Sequence, residues 1–294
     1  MSLANLYFSG WLQPGTTHSI DVGGLSRSYV VHVPKGHDAA AELPVVLALH
    51  GATMNGPMMA WFCDLNRKAD EAGFIAVYPN GTGKRSSLFW NGGNCCGSAM
   101  QNKVDDVGFI DALLDDLGRA YRIDTRRVYA AGMSNGGIMV YRLAAELAHR
   151  IAAIAPVAGC RESELGQPKR PVSILHFHGT QDEFVPYTGG VGRKSITGTD
   201  FRSVEESIRA WVDWNGCEAD PRIDVLSQEG DELAVTRKTY GAGKEGTEVV
   251  LVTIDGGGHT WPGRKGPARF LGRSALNISA NDLMWEFFQK HPLP

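Results

Sequence analysis

Long hydrophobic runs are absent from this 294-residue chain. The longest, Val45–Leu49 and Ile151–Val157, are strand-sized and far short of the roughly 20 apolar residues that cross a bilayer. Neither sign of charge dominates: 29 Lys and Arg face 32 Asp and Glu, for a formal net charge of −3. With no basic run either, nucleic acid and anionic membrane are not expected as partners. Cysteine is scarce, five in all, and Cys95 and Cys96 are adjacent rather than two residues apart as zinc sites require, so no metal is expected. An odd set of five (Cys63, Cys95, Cys96, Cys160, Cys217) suits one or two disulfides in an exported enzyme, with free thiols in a cytosolic enzyme as the alternative. The opening M-S-L-A-N-L-Y-F-S-G-W lacks the basic-then-apolar order of a signal peptide. A chain whose leader has been removed would read the same, so we expect a secreted or periplasmic protein and keep the cytoplasm as the alternative.

What is present is an ordinary globular balance, 43% hydrophobic and 21% charged, long enough to bury a core without metal or disulfide staples. After a loose segment, 1–17, His18–Val22 and Arg27–Pro34 read as a hairpin around Gly23-Gly24. Pro44–His50 and Phe74–Tyr78 are apolar on both faces, as buried parallel strands are. Further strands are expected over Arg127–Gly132, Ile151–Val157, Val172–His178 and Glu248–Ile254. Helical spacing recurs over Asp106–Tyr121, Gly136–Ala148, Ser203–Trp214 and Ala280–Lys290. Strands alternating with helices predict a mostly parallel sheet flanked by helices on both faces, in one domain over 1–294.

The segment Gly132-Met133-Ser134-Asn135-Gly136 joins a predicted strand to a predicted helix. That is the context of a G-x-S-x-G nucleophile elbow, and it points to the α/β-hydrolase fold with Ser134 as nucleophile. Chain order in that fold, Ser then acid then His, filters the remaining candidates. His149 comes too early, His291 is three residues from the end, and no acid precedes His176 or His178 at a strand end. His259, in D-G-G-G-H-T-W-P-G after the last strand, is left as the base. The strand ending at His178 opens into Gly179-Thr180-Gln181-Asp182-Glu183, where Asp182 fits best as the acid and Glu183 is the fallback. Asp182 would fix the imidazole tautomer and stabilise the imidazolium. His176 and His178 share a strand face but have no third ligand nearby, and His178 reads as a loop-bracing residue. The Asn135 N–H is one oxyanion donor. The loop after Leu49-His50-Gly51 should supply the second, from Ala52 or failing that Thr53, with His50 itself structural. No cofactor is needed for such a site.

With these residues in place, the chain resembles the polyhydroxybutyrate depolymerase and feruloyl esterase family of α/β-hydrolases over about Ser28 to Pro292. The resemblance rests on L-H-G at 49–51, W-N-G-G-N-C-C-G at 90–97, V-D-D-V-G-F-I at 104–110 and G-M-S-N-G-G at 132–137. It continues through H-G-T-Q-D-E-F-V-P-Y at 178–187, G-G-G-H-T-W-P-G at 256–263 and W-E-F-F at 285–288. It implies hydrolysis of a small or polymer-linked carboxylic ester by Ser134, Asp182 and His259, with the loop around Trp90 to Cys96, and Trp261 beside the base, helping to line the acyl or alcohol pocket. Feruloyl-type esters of plant polysaccharide are the expected substrates; hydroxyalkanoate oligomers, or acyl transfer on the same triad, are the alternatives. Many relatives carry cysteines where this chain has Ala52 and, approximately, Ala145, so the resemblance implies no pairing for Cys95 and Cys96.

Overall fold

The computed structural model describes residues 15–38, 40–161 and 165–294. Ten strands form one sheet: β1 (Thr16–Val22), β2 (Leu25–His32), β3 (Leu43–Leu49), β4 (Ile75–Pro79), β7 (Ile123–Met133), β8 (Ala153–Val157), β9 (Ser173–Gly179), β10 (Arg222–Val225), β11 (Val235–Tyr240) and β12 (Val249–Ile254). A separate hairpin pairs β5 (Thr82–Lys84) with β6 (Ser87–Phe89). The large sheet runs β1-β2-β4-β3-β7-β8-β9-β12-β11-β10. Its six central strands, β4 to β12 in that order, are parallel, and an antiparallel pair closes each edge.

Side-chain alternation in β3 explains the two-sided cover. Val45, Leu47 and Leu49 join one core cluster, packed on α4 (Asp106–Ala120), α5 (Asn135–Glu146) and α6 (Val204–Asn215). Val46 and Ala48 point into a second cluster with α1 (Gly56–Cys63), α2 (Leu65–Ala72) and α7 (Ala280–Lys290). A strand buried on both faces reads as an unbroken apolar run, which is how β3 reads. A short helix, α3 (Gly97–Gln101), follows the Trp90 loop.

The expected loose segment lies outside the described residues up to position 14, but Thr16 and Thr17 belong to β1. The strand before the elbow begins at Ile123 rather than Arg127, because its polar first half, I-D-T-R-R, leaves the apolar pattern. The sheet-closing β10 and β11 and the pair α1–α2 have no counterpart in the sequence reading. Parallel strands share a direction, so the loops after β3, β7, β9 and β12 all emerge at the carboxyl edge, where ligand sites of such sheets form.

Candidate active site

Ser134 follows β7 and stands at φ 56°, ψ −119°, a conformation an L-residue holds only under constraint from its surroundings. The constraint is the approach of α5 to the sheet. A Cβ on Gly136 would lie 2.3 Å from the Leu49 carbonyl oxygen, and one on Gly132 2.4 Å from the Gly136 oxygen. Both flanking glycines of the motif are therefore needed for the turn to close. The Ser134 N–H is held by the Val157 carbonyl at 2.8 Å, and its side chain borders a cavity of about 500 Å³ that His259 also borders.

Asp182 and His259 arrive on loops after β9 and β12, which touch backbone to backbone. A Cβ on Gly179 would sit 2.2 Å from the Gly257 oxygen. His259 Nδ1 lies 2.7 Å from Asp182 Oδ2, with both side chains buried. The other carboxylate oxygen, Oδ1, accepts from the N–H groups of Phe184 at 2.8 Å and Val185 at 2.9 Å. Burial pushes this carboxyl up, but the attraction and hydrogen bond of His259, with His178 and the Val185 N–H, outweigh it and hold it below its ordinary value. The His259 N–H is tied to the Leu271 carbonyl at 2.7 Å, and the Phe184 ring sits 4.9 Å from the imidazole. Glu183, one residue on from Asp182, turns outward and pairs with Arg193 and Lys194, so it does not reach the imidazole.

Behind the acid, His176 and His178 form a buried chain. Tyr141 O–H meets His176 Nδ1 at 2.7 Å, His176 Nε2 meets His178 Nδ1 at 2.9 Å, and His178 Nε2 meets the Val185 carbonyl at 2.8 Å. Since a carbonyl only accepts, His178 donates through Nε2 and every proton in the chain is assigned in turn. All four ring nitrogens are thereby used. His50 is likewise fully engaged, Nδ1 to the Gly51 carbonyl at 2.8 Å and Nε2 accepting from the Gly81 N–H at 3.0 Å.

Three sequence-derived assignments change. The Thr53 N–H donates to the Leu88 carbonyl at 2.8 Å, so it is not available to an oxyanion. Among the described residues the Ala52 and Asn135 N–H groups have no such partner, and both residues border the cavity. Trp90 and Trp261 do not line it. Trp90 is fully buried, its indole N–H donates to the His50 carbonyl at 3.0 Å, and the Asn135 side-chain amide clasps its backbone at 2.8 and 3.0 Å. Trp261 is 1% exposed and donates to Asn281 Oδ1 at 2.9 Å. Both indoles brace loops from within.

Sequence reasoning missed the frame that holds the Trp90 loop. Asp106, buried at the start of α4, takes Arg27 at 2.6 Å on one oxygen and the Asn91 N–H at 2.7 Å on the other. Burial raises its carboxyl, partly offset by Arg27. The signal was the second aspartate of V-D-D-V, which stands among apolar helix positions where a solvated residue does not belong. Of the loop from Trp90 to Cys96 it is Cys96 that borders the cavity; missed were the other walls, Ile138, Phe184 and Phe201, and an exposed rim of Trp61, Ile196 and Phe270.

A parallel sheet with a serine elbow at its carboxyl edge and a bonded Asp–His pair over the same cavity defines the α/β-hydrolase fold. The acetyl xylan esterase from Aspergillus awamori shares that fold, with a TM-score of 0.64 at 16% identity, covering 94% of this chain and 99% of that one. A protein of Nocardia uniformis subsp. tsuyamanensis named "Putative esterase NocK" is 30% identical over 92% of this chain and 82% of its own length. Feruloyl esterase B of Piromyces equi is 30% identical over 79% of this chain. The chain spans only 42% of that longer relative. The family model described as Esterase PHB depolymerase matches residues 27–174. The chain belongs to this family and is a carboxylic ester hydrolase. Among the described residues no helix is long and apolar enough to cross a membrane.

Proposed function

We propose that this chain is a serine esterase that works through an acyl-enzyme, with Ser134 as nucleophile, His259 as general base and Asp182 as the acid that orients it. One observation carries the reading: a constrained serine and an Asp-bonded histidine border the same cavity. His259 takes the Ser134 proton as the hydroxyl adds to the ester carbonyl, and returns it to the departing alcohol. The oxyanion is received by the Ala52 and Asn135 N–H groups, each of which is worth roughly 3 kcal/mol to the transition state in comparable sites. Water activated by the same imidazole then releases the acid. Asp182 stays ionised throughout, since its two backbone donors and His259 favour the carboxylate.

The acyl group is a phenylpropenoyl unit of the feruloyl kind, carried on plant polysaccharide. Walls of Ile138, Phe184, Phe201 and Met54 suit a flat apolar acyl chain, and the cavity is far larger than an acetyl group needs. An apolar wall rewards such bulk at about 25 cal/mol per Å² buried. The adjacent cysteines, joined as a disulfide, suit an oxidising, extracytoplasmic location. Turnover of methyl ferulate, compared with p-nitrophenyl acetate and a hydroxybutyrate oligomer, tests the substrate. Ferulate is expected to have the highest kcat/KM, and preference for the oligomer would overturn the acyl assignment.

A further inference from the structure

The Cys95–Cys96 bond has no part in the chemistry above, yet it stands in the wall of the cavity. Cys95 is fully buried and Cys96 4% exposed; together they pack on Ile138, with Phe89 and Phe201 alongside. Cys96 borders the cavity that holds Ser134 and Ile138, four residues further along α5. The other three cysteines are free, with Cys63 and Cys160 buried and Cys217 half-buried.

The backbone around the pair has little room to give. The Cys96 N–H donates to the Trp90 carbonyl at 3.2 Å, and the Gly92 N–H is bonded to the Cys95 carbonyl. Trp90 is clasped in turn by the side chain of Asn135, the residue after the nucleophile. A Cβ on Gly92 would come within 2.7 Å of Ile138 Cγ2, so the loop is pressed against α5. Wall and elbow are one mechanical unit.

We propose that the Cys95–Cys96 disulfide is the specificity-determining wall of the acyl pocket, and that its redox state sets how bulky an acyl group the enzyme accepts. This rests on the reading that the cavity at Ser134 takes the acyl group. Closed, the two sulfurs occupy the space of one bonded pair. Opened, they withdraw to van der Waals contact, which roughly doubles their separation. Cys95 is enclosed by protein, so the displaced sulfur is that of Cys96, and the open side is the cavity. Reduction therefore narrows the pocket. The reductant is an external dithiol small enough to enter: its thiolate attacks the Cys96 sulfur, its second thiol closes it to a cyclic disulfide, and two protons end on Cys95 and Cys96. A narrowed pocket penalises a phenylpropanoyl group and leaves an acetyl group unaffected.

The test compares kcat/KM for p-nitrophenyl phenylpropanoate and p-nitrophenyl acetate, which differ only in the acyl group, before and after dithiothreitol, with thiol alkylation and mass spectrometry reporting the pair. Circular dichroism confirms that the protein stays folded. The phenylpropanoate-to-acetate ratio should fall about tenfold, the scale of a pocket made too small by one group, and return on reoxidation. In Cys95→Ala/Cys96→Ala the ratio should not respond to dithiol. An unchanged ratio with the pair reduced, a pair that stays closed in the folded protein, an equal loss on both esters, or a dithiol response surviving in the double variant would overturn the proposal. Absence of acetate hydrolysis in the untreated enzyme would instead count against the esterase reading itself.

Discussion

Two sets of large apolar side chains stand near Ser134 and behave oppositely. Trp90 and Trp261, each in a distinctive sequence block, are buried, turned away from the cavity and hydrogen-bonded to loop backbone or to Asn281. Ile196, in a loop, and Phe270, in a single 3-10 turn (Arg269–Leu271), are 61% and 59% exposed, carry no motif and border the cavity. The two tryptophans of these blocks belong to the scaffold that holds a strained elbow and a bonded Asp–His pair, while Cys96 and Phe184 of the same blocks border the cavity and its exposed rim comes from segments without a motif. A tryptophan beside a reactive residue in sequence is therefore weak evidence for contact with substrate.

Removing the residue both sets surround should have the largest effect. Ser134→Ala is expected to lower kcat on p-nitrophenyl acetate by about 10⁴-fold or more, with an unchanged circular dichroism spectrum. Wild-type turnover would refute the nucleophile assignment. On the scaffold side, Trp90→Ala should cost about 3–5 kcal/mol of unfolding free energy in urea and lower activity on every ester alike, because the backbone that Asn135 clasps loses the indole anchoring it to His50. A loss confined to bulky acyl groups would return Trp90 to the pocket.

The scaffold should also be the acid-sensitive part. Burial pulls His50 down to about 4 and lowers His176 and His178 as well. In the unfolded chain these rings titrate near their ordinary value, so below about pH 6.5 the unfolded state binds protons that the native state refuses. Stability from these rings is complete above that value and falls as the pH drops, His50 alone accounting for roughly 3 kcal/mol by about pH 4. Urea midpoints across that range measure it, and a flat profile would contradict the buried neutral rings. The smallest effect belongs to the rim. Phe270→Ala should change stability by no more than about 0.5 kcal/mol, yet raise KM for methyl ferulate several-fold while sparing the acetate ester.

Much of this was legible in the sequence because the relevant signals are local. The two-sided apolar run of β3 and the spacing of Ala280–Lys290 each announce an element, and the latter was read to the residue. The glycines of the elbow are fixed by clashes within one turn. Other elements left no such trace. The helix G-P-M-M-A-W-F-C is apolar almost all round and so shows no period. The strand V-T-R-K-T-Y, one in from the edge of the sheet, alternates weakly because its surroundings are only half buried. Thr53 illustrates the harder limit: its N–H is claimed by Leu88 from the β5–β6 hairpin, a partner that only the folded chain brings near. Trp90 and Trp261 were placed by their neighbours in sequence, while their orientation depends on Asn135, His50 and Asn281, which lie 20 or more residues away.

The central claim is that Ser134 becomes acylated. Treating the folded protein with a fluorophosphonate ester and mapping the adduct by peptide mass spectrometry tests it most directly. One adduct per chain on the peptide containing Ser134, formed in step with the loss of esterase activity and absent from His259→Ala, is the predicted result. A label on any other residue, or full activity in protein labelled at Ser134, would contradict it.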